Sequence, residues 1–172
     1  KSHIRNMSNK TKIGAVICMF LFILDLEIKA QSNKQTGKGA VIVADFTQPV
    51  SFIDQVGKKI NFGNELRGSI ITEGQTAEVG KGGKLVLLFS NGTITTLQSE
   101  TKMKIGVFEQ IPFKAGDEKV ADLDGEPTES KLELDLEWGS LVVKTKKLDK
   151  KSTFDIDSPL GTAGIRGTEF QL

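Results

Sequence analysis

The segment KLELDLEW, Lys131 to Trp138, alternates strictly between charged and apolar side chains. In an extended strand successive side chains point to opposite faces, whereas the apolar residues of a helix recur every three to four positions. The pattern therefore predicts a half-buried β-strand with one charged face. The inward residues are predicted to be Leu132, Leu134, Leu136 and Trp138, and the outward ones Glu133, Asp135 and Glu137.

The chain after residue 39 has the same character. Short runs rich in Val, Ile, Phe and Thr are separated by glycine and polar turns roughly every ten residues. The run TKMKIGV also alternates, which predicts that Thr101, Met103, Ile105 and Val107 share one face. Because no long helical periodicity interrupts these runs, we predict an all-β domain.

Asn91 and Gly92 lie between the apolar runs KLVLLFS and TITTLQS. Asn-Gly readily takes the positive φ values of a two-residue type I′ turn. The two runs are therefore predicted to pair as an antiparallel hairpin around this turn.

The N-terminal segment is different, because residues 13–24, IGAVICMFLFIL, carry no charge and follow Lys10 and Lys12. This run is shorter than the about 20 apolar residues of a membrane span, and it is typical of the core of a signal peptide. We predict an apolar export helix in residues 1–30, acting as a signal peptide or, alternatively, as an uncleaved signal anchor. Residues 31–39 are predicted to be a flexible linker.

The predicted β-domain, residues 40–172, lacks the common catalytic side chains. Histidine and cysteine occur only as His3 and Cys18, before the domain begins. This removes the usual nucleophile and base pairs, the usual zinc ligands and any disulfide. Residues 31–172 carry 18 basic and 20 acidic side chains, which leaves no basic surplus for nucleic acid. We expect no enzymatic activity, no cofactor, no metal and no nucleic-acid partner.

Two charged segments are predicted to be solvated. Ala121 to Glu129, ADLDGEPTE, contains four acidic residues, but their spacing departs from that of a calcium-binding loop. Lys144 to Lys151, KTKKLDKK, reads as a lysine-rich turn, with contact to an anionic surface as the alternative.

The segment SPLGTAGIRGTEF, Ser158 to Phe170, has three glycines at a spacing of three. A dinucleotide-binding loop needs Gly-x-Gly-x-x-Gly at the start of a helix, and this spacing is different. Its β-branched residues predict a strand with a tight bend, since glycine in a strand often marks a bulge. Arg166 is predicted to donate internally to carbonyl oxygens at the bend.

This segment resembles the closing signature of the FecR domain family, which is Ser/Thr-Pro followed by Val-Arg-Gly-Thr-x-Phe. Three earlier segments are similar to that family as well: LRGSIITEG, GKLVLLFSNGTITTL and LELDLEWGSLVV. The resemblance covers residues 41–172, with isoleucine in place of the signature valine. The signature residues, to which we assign a structural role, are Ser158, Pro159, Gly161, Gly164, Ile165, Arg166, Gly167, Thr168 and Phe170.

The resemblance implies an extracytoplasmic bacterial domain that is a flattened β-helix, a β-roll or a sandwich-like fold. In the best-known members this domain belongs to a regulator of an extracytoplasmic-function sigma factor. That regulator receives a signal from an outer-membrane transporter involved in iron uptake. Here only residues 1–12 precede the apolar segment, and the chain stops two residues after the signature. These departures favour a stand-alone exported domain, with truncation of its C-terminal end left open.

We therefore expect a protein-interaction or sensing module of envelope signalling, located in the periplasm or at the cell surface. Its expected partner is an outer-membrane transporter or another envelope signalling protein. Contact with the membrane is expected only through an uncleaved N-terminal segment. The alternative is a structural or carbohydrate-associated cell-surface domain without a role in sigma-factor control.

Overall fold

The computed structural model describes residues 36–62, 65–114 and 122–166, and the backbone alone of residues 169–171. The predicted export segment lies outside the described residues, as does the first part of the predicted linker. Of the signature, Gly167, Thr168 and the side chain of Phe170 lie outside them as well.

The described residues form strands and contain no α-helix, which confirms the all-β prediction. The strands are β1 (Gly37–Lys38), β2 (Val41–Thr47), β3 (Val50–Ile53), β4 (Lys59–Ile60), β5 (Ile70–Ile71), β6 (Thr76–Val79), β7 (Lys84–Phe89), β8 (Ile94–Leu97), β9 (Thr101–Gln110), β10 (Ser130–Trp138), β11 (Leu141–Lys144), β12 (Thr153–Ser158), β13 (Gly161–Gly164) and β14 (Glu169–Gln171). β1 falls within the predicted linker, and it pairs with β9.

The strands form two sheets. The first sheet has the order β13-β12-β10-β9-β6-β3-β4, with β1 added on β9, and the second has the order β14-β11-β8-β7-β2-β5. Pairing is antiparallel except between β10 and β12, which run parallel. Since β11 belongs to the other sheet, β10, β11 and β12 make one coil of a roll. The architecture is therefore a two-sheet sandwich that contains one such coil.

The inward faces of the two sheets share one apolar core. Phe89 of the second sheet meets Phe108 of the first edge to face, with 5.3 Å between ring centroids. The leucines of β10 are buried as their alternation predicts. The largest fully buried side chains are Phe52, Ile71, Leu85, Leu87, Phe89, Leu97, Met103, Ile105, Phe108, Leu132, Leu134 and Leu141.

Two residues predicted to point inward do not. Trp138 is 49% exposed, and Lys102 Nζ lies 4.7 Å from the centroid of its ring. The pairing of β9 with β10 shifts register at Leu136/Trp138 and again opposite Gly106. Each shift inserts an extra residue, and an extra residue reverses which side chains face the core. For the same reason Phe108 is buried instead of Val107.

The predicted hairpin at Asn91-Gly92 joins β7 and β8 in antiparallel register. Its turn is not the predicted type I′, because only Gly92 has a positive φ, of 86°. Gly92 N donates to Phe89 O, and Phe89 N donates to Thr93 O, both at 2.9 Å. This pattern is that of a three-residue loop ending in a left-handed glycine.

Gly139 carries the chain from the first sheet to the second. Its φ is 94°, and a Cβ there would lie 2.4 Å from Thr101 Cα. The neighbouring Ser140 is held by Thr101 Oγ1, which accepts from Ser140 N and donates to Ser140 O, each at 3.0 Å. Only glycine fits this crossing, because both the backbone conformation and the close approach exclude a side chain.

Candidate interaction surfaces

The signature begins at the tip of the β12-β13 hairpin. Ser158 Oγ donates to Gly161 O at 2.9 Å and accepts from Leu160 N at 3.3 Å. Gly161 has a φ of 136°, which favours glycine, and Leu160 at the tip is fully exposed. These contacts place the first half of the signature in a tight turn between β12 and β13.

The described second half of the signature lies at the other end of this hairpin. Ile165 is four residues beyond Gly161, which in an extended strand corresponds to about 13 Å. Ile165 is buried and donates from its backbone N to Phe154 O at 2.7 Å. Arg166 is exposed, so the prediction of an internal donor is wrong. The reason is the alternation of side chains, since Ile165 takes the inward position and leaves Arg166 on the solvent side.

A polar network connects the Asn91 turn to the loop before β12. The buried Asn91 donates from Nδ2 to Ser130 Oγ at 3.0 Å, and Ser130 Oγ donates to Glu126 Oε2 at 2.9 Å. Glu126 Oε1 accepts from Asp149 N at 2.6 Å and from Ser152 Oγ. The prediction of a wholly solvated acidic loop is therefore wrong for Glu126, which is half-buried and engaged through both carboxylate oxygens.

The same contacts position the lysine-rich segment. Glu126 N donates to Lys147 O at 3.0 Å, and Gly125 forms an isolated parallel bridge with Lys147. Sequence reasoning missed this connection, because the charge pattern of ADLDGEPTE does not distinguish Glu126 from its acidic neighbours. The structural consequence is that the acidic and lysine-rich segments are fixed to each other.

A cleft of about 440 Å³ opens between the lysine-rich segment and the signature. Its walls carry the cations Lys147, Lys150 and Arg166 and the carboxylates Asp149 and Asp155. Because both signs of charge are present, the cleft does not favour a purely anionic ligand. The structure thus brings Arg166 next to the lysine run.

The outer face of the first sheet carries rows of carboxylates. The parallel register of β10 and β12 places Glu133 beside Asp155 and Asp135 beside Asp157. Like charges directly opposite one another on neighbouring strands are destabilising. Among the described residues, neither Asp155 nor Asp157 takes part in a salt bridge.

Lysines of the same face form salt bridges with carboxylates of β10. Lys131 Nζ lies 2.9 Å from Glu133 Oε1, and Lys104 Nζ lies 3.3 Å from Asp135 Oδ2. The hydrogen bond to Glu133, and then its charge, raise the pKa of Lys131 above its ordinary value. Among the described residues, the two carboxylates of β12 have no lysine at salt-bridge distance, and β12 lies next to the edge strand β13.

The outer face of the second sheet carries a row of apolar side chains. Ile70, Ile42, Leu88 and Ile94 are successive cross-strand partners on β5, β2, β7 and β8, and we call them the outer apolar row. Ile70 is 64% exposed and Ile94 37%, while the two central residues are half-buried. Val86 continues this apolar surface along β7.

Within residues 36–62, 65–114 and 122–166, no helix is long and apolar enough to cross a membrane. The same residues hold no group of three His, Cys, Asp or Glu side chains close enough to bind a metal ion.

A comparison with protein-family models matches the FecR protein family over residues 75–172. The match covers more than half of the chain and includes the Asn91 turn, β10 and the signature. It begins after the segment LRGSIITEG, so that part of the predicted resemblance lies outside the matched residues. No curated protein and no solved structure shows a significant match to the chain. The FecR family is a regulatory family of envelope signalling whose members work with protein partners, and this chain belongs to it.

Proposed function

We propose that this chain is an exported, non-enzymatic FecR domain that binds a protein partner in the bacterial envelope and serves as a sensing or interaction module there. The family membership supports envelope signalling as the setting. The apolar residues 13–24 and their basic flank support export. A transporter as the partner, and a connection with iron uptake, rest on the resemblance to the best-known members of the family.

The outer apolar row is the observation that carries this proposal. The outer face of an antiparallel sheet that meets only water usually presents polar side chains. Here four consecutive cross-strand partners are isoleucine or leucine, and the two at its ends are exposed. A contiguous exposed apolar patch of this kind marks a contact surface for another molecule. The charged outer face of the first sheet shows that the chain uses the ordinary alternation elsewhere.

The experiment is affinity capture from bacterial envelope extract, with the full chain in mild detergent as bait. Ile70→Lys and Ile94→Lys each place a charge in the row. Val56→Lys is the matched control, since Val56 is 86% exposed but lies in the turn between β3 and β4 of the other sheet. We expect the unchanged chain and Val56→Lys to capture the same envelope protein, and the row variants to lose it.

Thermal melts of the three variants establish that each is folded. Capture of the same protein by the Ile70→Lys variant would show that the row does not bind the partner. Capture of envelope polysaccharide with no protein would favour the carbohydrate-associated alternative instead.

A further inference from the structure

β13 is the last strand at its end of the first sheet, and among the described residues no strand pairs with its outer edge. Ile165 N donates to Phe154 O, which makes those two residues a hydrogen-bonded pair. In an antiparallel ladder such pairs alternate with pairs whose backbone groups point outward. The backbone N-H and C=O groups of Thr162 and Gly164, which lie opposite Asp157 and Asp155, therefore face away from β12.

This edge lacks the usual protection against strand pairing. Natural edge strands are kept short, or carry lysine, proline or a bulge. β13 has the sequence GTAG and, apart from the half-buried Ala163, its residues are exposed. The edge strands β4 and β5 are only two residues long, and β4 includes Lys59. At four residues, β13 is the longest of the four strands that end the two sheets, β4, β5, β13 and β14, and it carries neither lysine nor proline.

The side chains next to this edge are acidic. Asp155 Oδ1 lies 3.4 Å from the position that a Cβ on Gly164 would take, so the carboxylate extends over β13. Asp157 Oδ1 accepts a hydrogen bond from Thr162 Oγ1 on the same strand. A strand added beside Thr162 and Gly164 would place its side chains on this face within reach of both carboxylates.

We propose that an extended segment of the protein partner pairs with β13 and places lysine or arginine side chains over Asp155 and Asp157. This inference rests on the proposed function and specifies the partner's chemistry. Charge disfavours a second copy of the chain as the occupant, because it would bring its own Asp155 and Asp157 to the same junction. Arg166, at the far end of β13, confines the acidic surface to the two positions opposite Thr162 and Gly164.

The test uses a short synthetic peptide in which threonine and lysine alternate, and a matched peptide with glutamate in place of lysine. Binding of each labelled peptide to the full chain is followed by fluorescence anisotropy. We expect the lysine peptide to bind and the glutamate peptide not to bind. The double variant Asp155→Asn/Asp157→Asn should bind the lysine peptide with about tenfold lower affinity. This is the scale of one or two surface charge pairs. Asp54→Asn, in the turn between β3 and β4 at the opposite end of the first sheet, is the control and should bind the lysine peptide normally.

A second variant tests the backbone pairing. Thr162→Pro removes an outward N-H without removing a bond to β12, whereas Thr162→Val keeps that N-H. Peptide binding should be lost in the proline variant and kept in the valine variant, with both melting near the unchanged chain. If the proline variant has a lowered melting temperature, the affinity of the Asp155→Asn/Asp157→Asn variant for the lysine peptide tests the proposal instead.

Equal binding of the lysine and glutamate peptides, or an unchanged affinity in the asparagine double variant, would overturn the inference. So would light scattering that shows the chain dimerising and the dimer dissociating in Thr162→Pro. These results leave the proposed function intact, because capture of an envelope protein depends on the outer apolar row and is measured separately.

Discussion

Asn91 Nδ2, in the turn of the second sheet, donates to Ser130 Oγ at the first residue of β10 in the first sheet, at 3.0 Å. Asn91 Oδ1 also accepts from Thr93 N at 3.0 Å, so both ends of this buried amide are engaged. The residue that shapes the hairpin thus also connects the two layers of the sandwich. A buried polar connection whose groups all find partners orders the two layers relative to each other.

The first prediction concerns that connection. Asn91→Ala leaves Thr93 N without its acceptor inside the protein, and it should lower the free energy of unfolding by about 1–3 kcal/mol. Urea denaturation of the two chains measures the difference. Thr95→Val is the opposite case, because Thr95 Oγ1 is buried with no hydrogen-bond partner among the described residues. It should be neutral or stabilising, and a loss as large as that of Asn91→Ala would contradict this description.

The second prediction concerns Glu126. Glu126→Gln replaces one accepting oxygen by a donor, so it cannot accept from both Ser130 on one side and Ser152 with Asp149 on the other. We expect a loss of about 1–3 kcal/mol in the free energy of unfolding. Glu129→Gln, in the same segment, removes the same charge and serves as the control. Equal denaturation midpoints for the two variants would show that only the charge of this segment matters.

The third prediction concerns Gly139. Gly139→Ala combines a positive φ with overlap of the Thr101 backbone, whereas Gly82→Ala has a positive φ of 76° and open space around it. Backbone strain alone should lower the free energy of unfolding of the Gly82 variant by about 1–2 kcal/mol. The free energy of unfolding of the Gly139 variant should fall distinctly further, because the overlapping Thr101 atom belongs to the backbone and cannot rotate away. Similar melting temperatures for both would mean that the crossing can widen.

The fourth prediction concerns the carboxylates of β12. Asp157→Asn removes the repulsion by Asp135 across the parallel pair, and it should stabilise the fold by about 0.2–1 kcal/mol. The gain should shrink at high salt, since exposed charges are screened. Because we propose that Asp157 contacts the partner, the substitution that stabilises the domain should also lower its affinity for the lysine peptide. A destabilised variant would indicate that the charge of the carboxylate strengthens the hydrogen bond from Thr162 by more than the repulsion costs.

The alternation of β10 predicted its three buried leucines, because period two and burial on one face are properties of the sequence itself. The face of Trp138 was not predictable in this way. A register shift depends on how β9 pairs with β10, and that pairing is set by the tertiary fold. The same holds for the Asn91 turn, where the dipeptide predicted a hairpin but the loop gained a third residue.

The surface features were less accessible to sequence reasoning. Glu126 and Asp155 each have acidic neighbours of the same type nearby in the sequence. Only the fold shows that the carboxylate of Glu126 is hydrogen-bonded and that the carboxylate of Asp155 lies next to an edge strand. The outer apolar row could not be predicted from the sequence either, because its four residues come from three separate regions of the chain. Each of its isoleucines and leucines, taken singly, looks like part of a core.

The central claim, that this FecR domain binds an envelope protein through its exposed surface, is tested most directly by photo-crosslinking in intact bacteria. A photoreactive amino acid is placed at Ile70 in the outer apolar row and, as the control, at Val56. The account predicts a discrete covalent adduct with one envelope protein from position 70 and none from position 56. No adduct at position 70, or equal adducts at both positions, would contradict it.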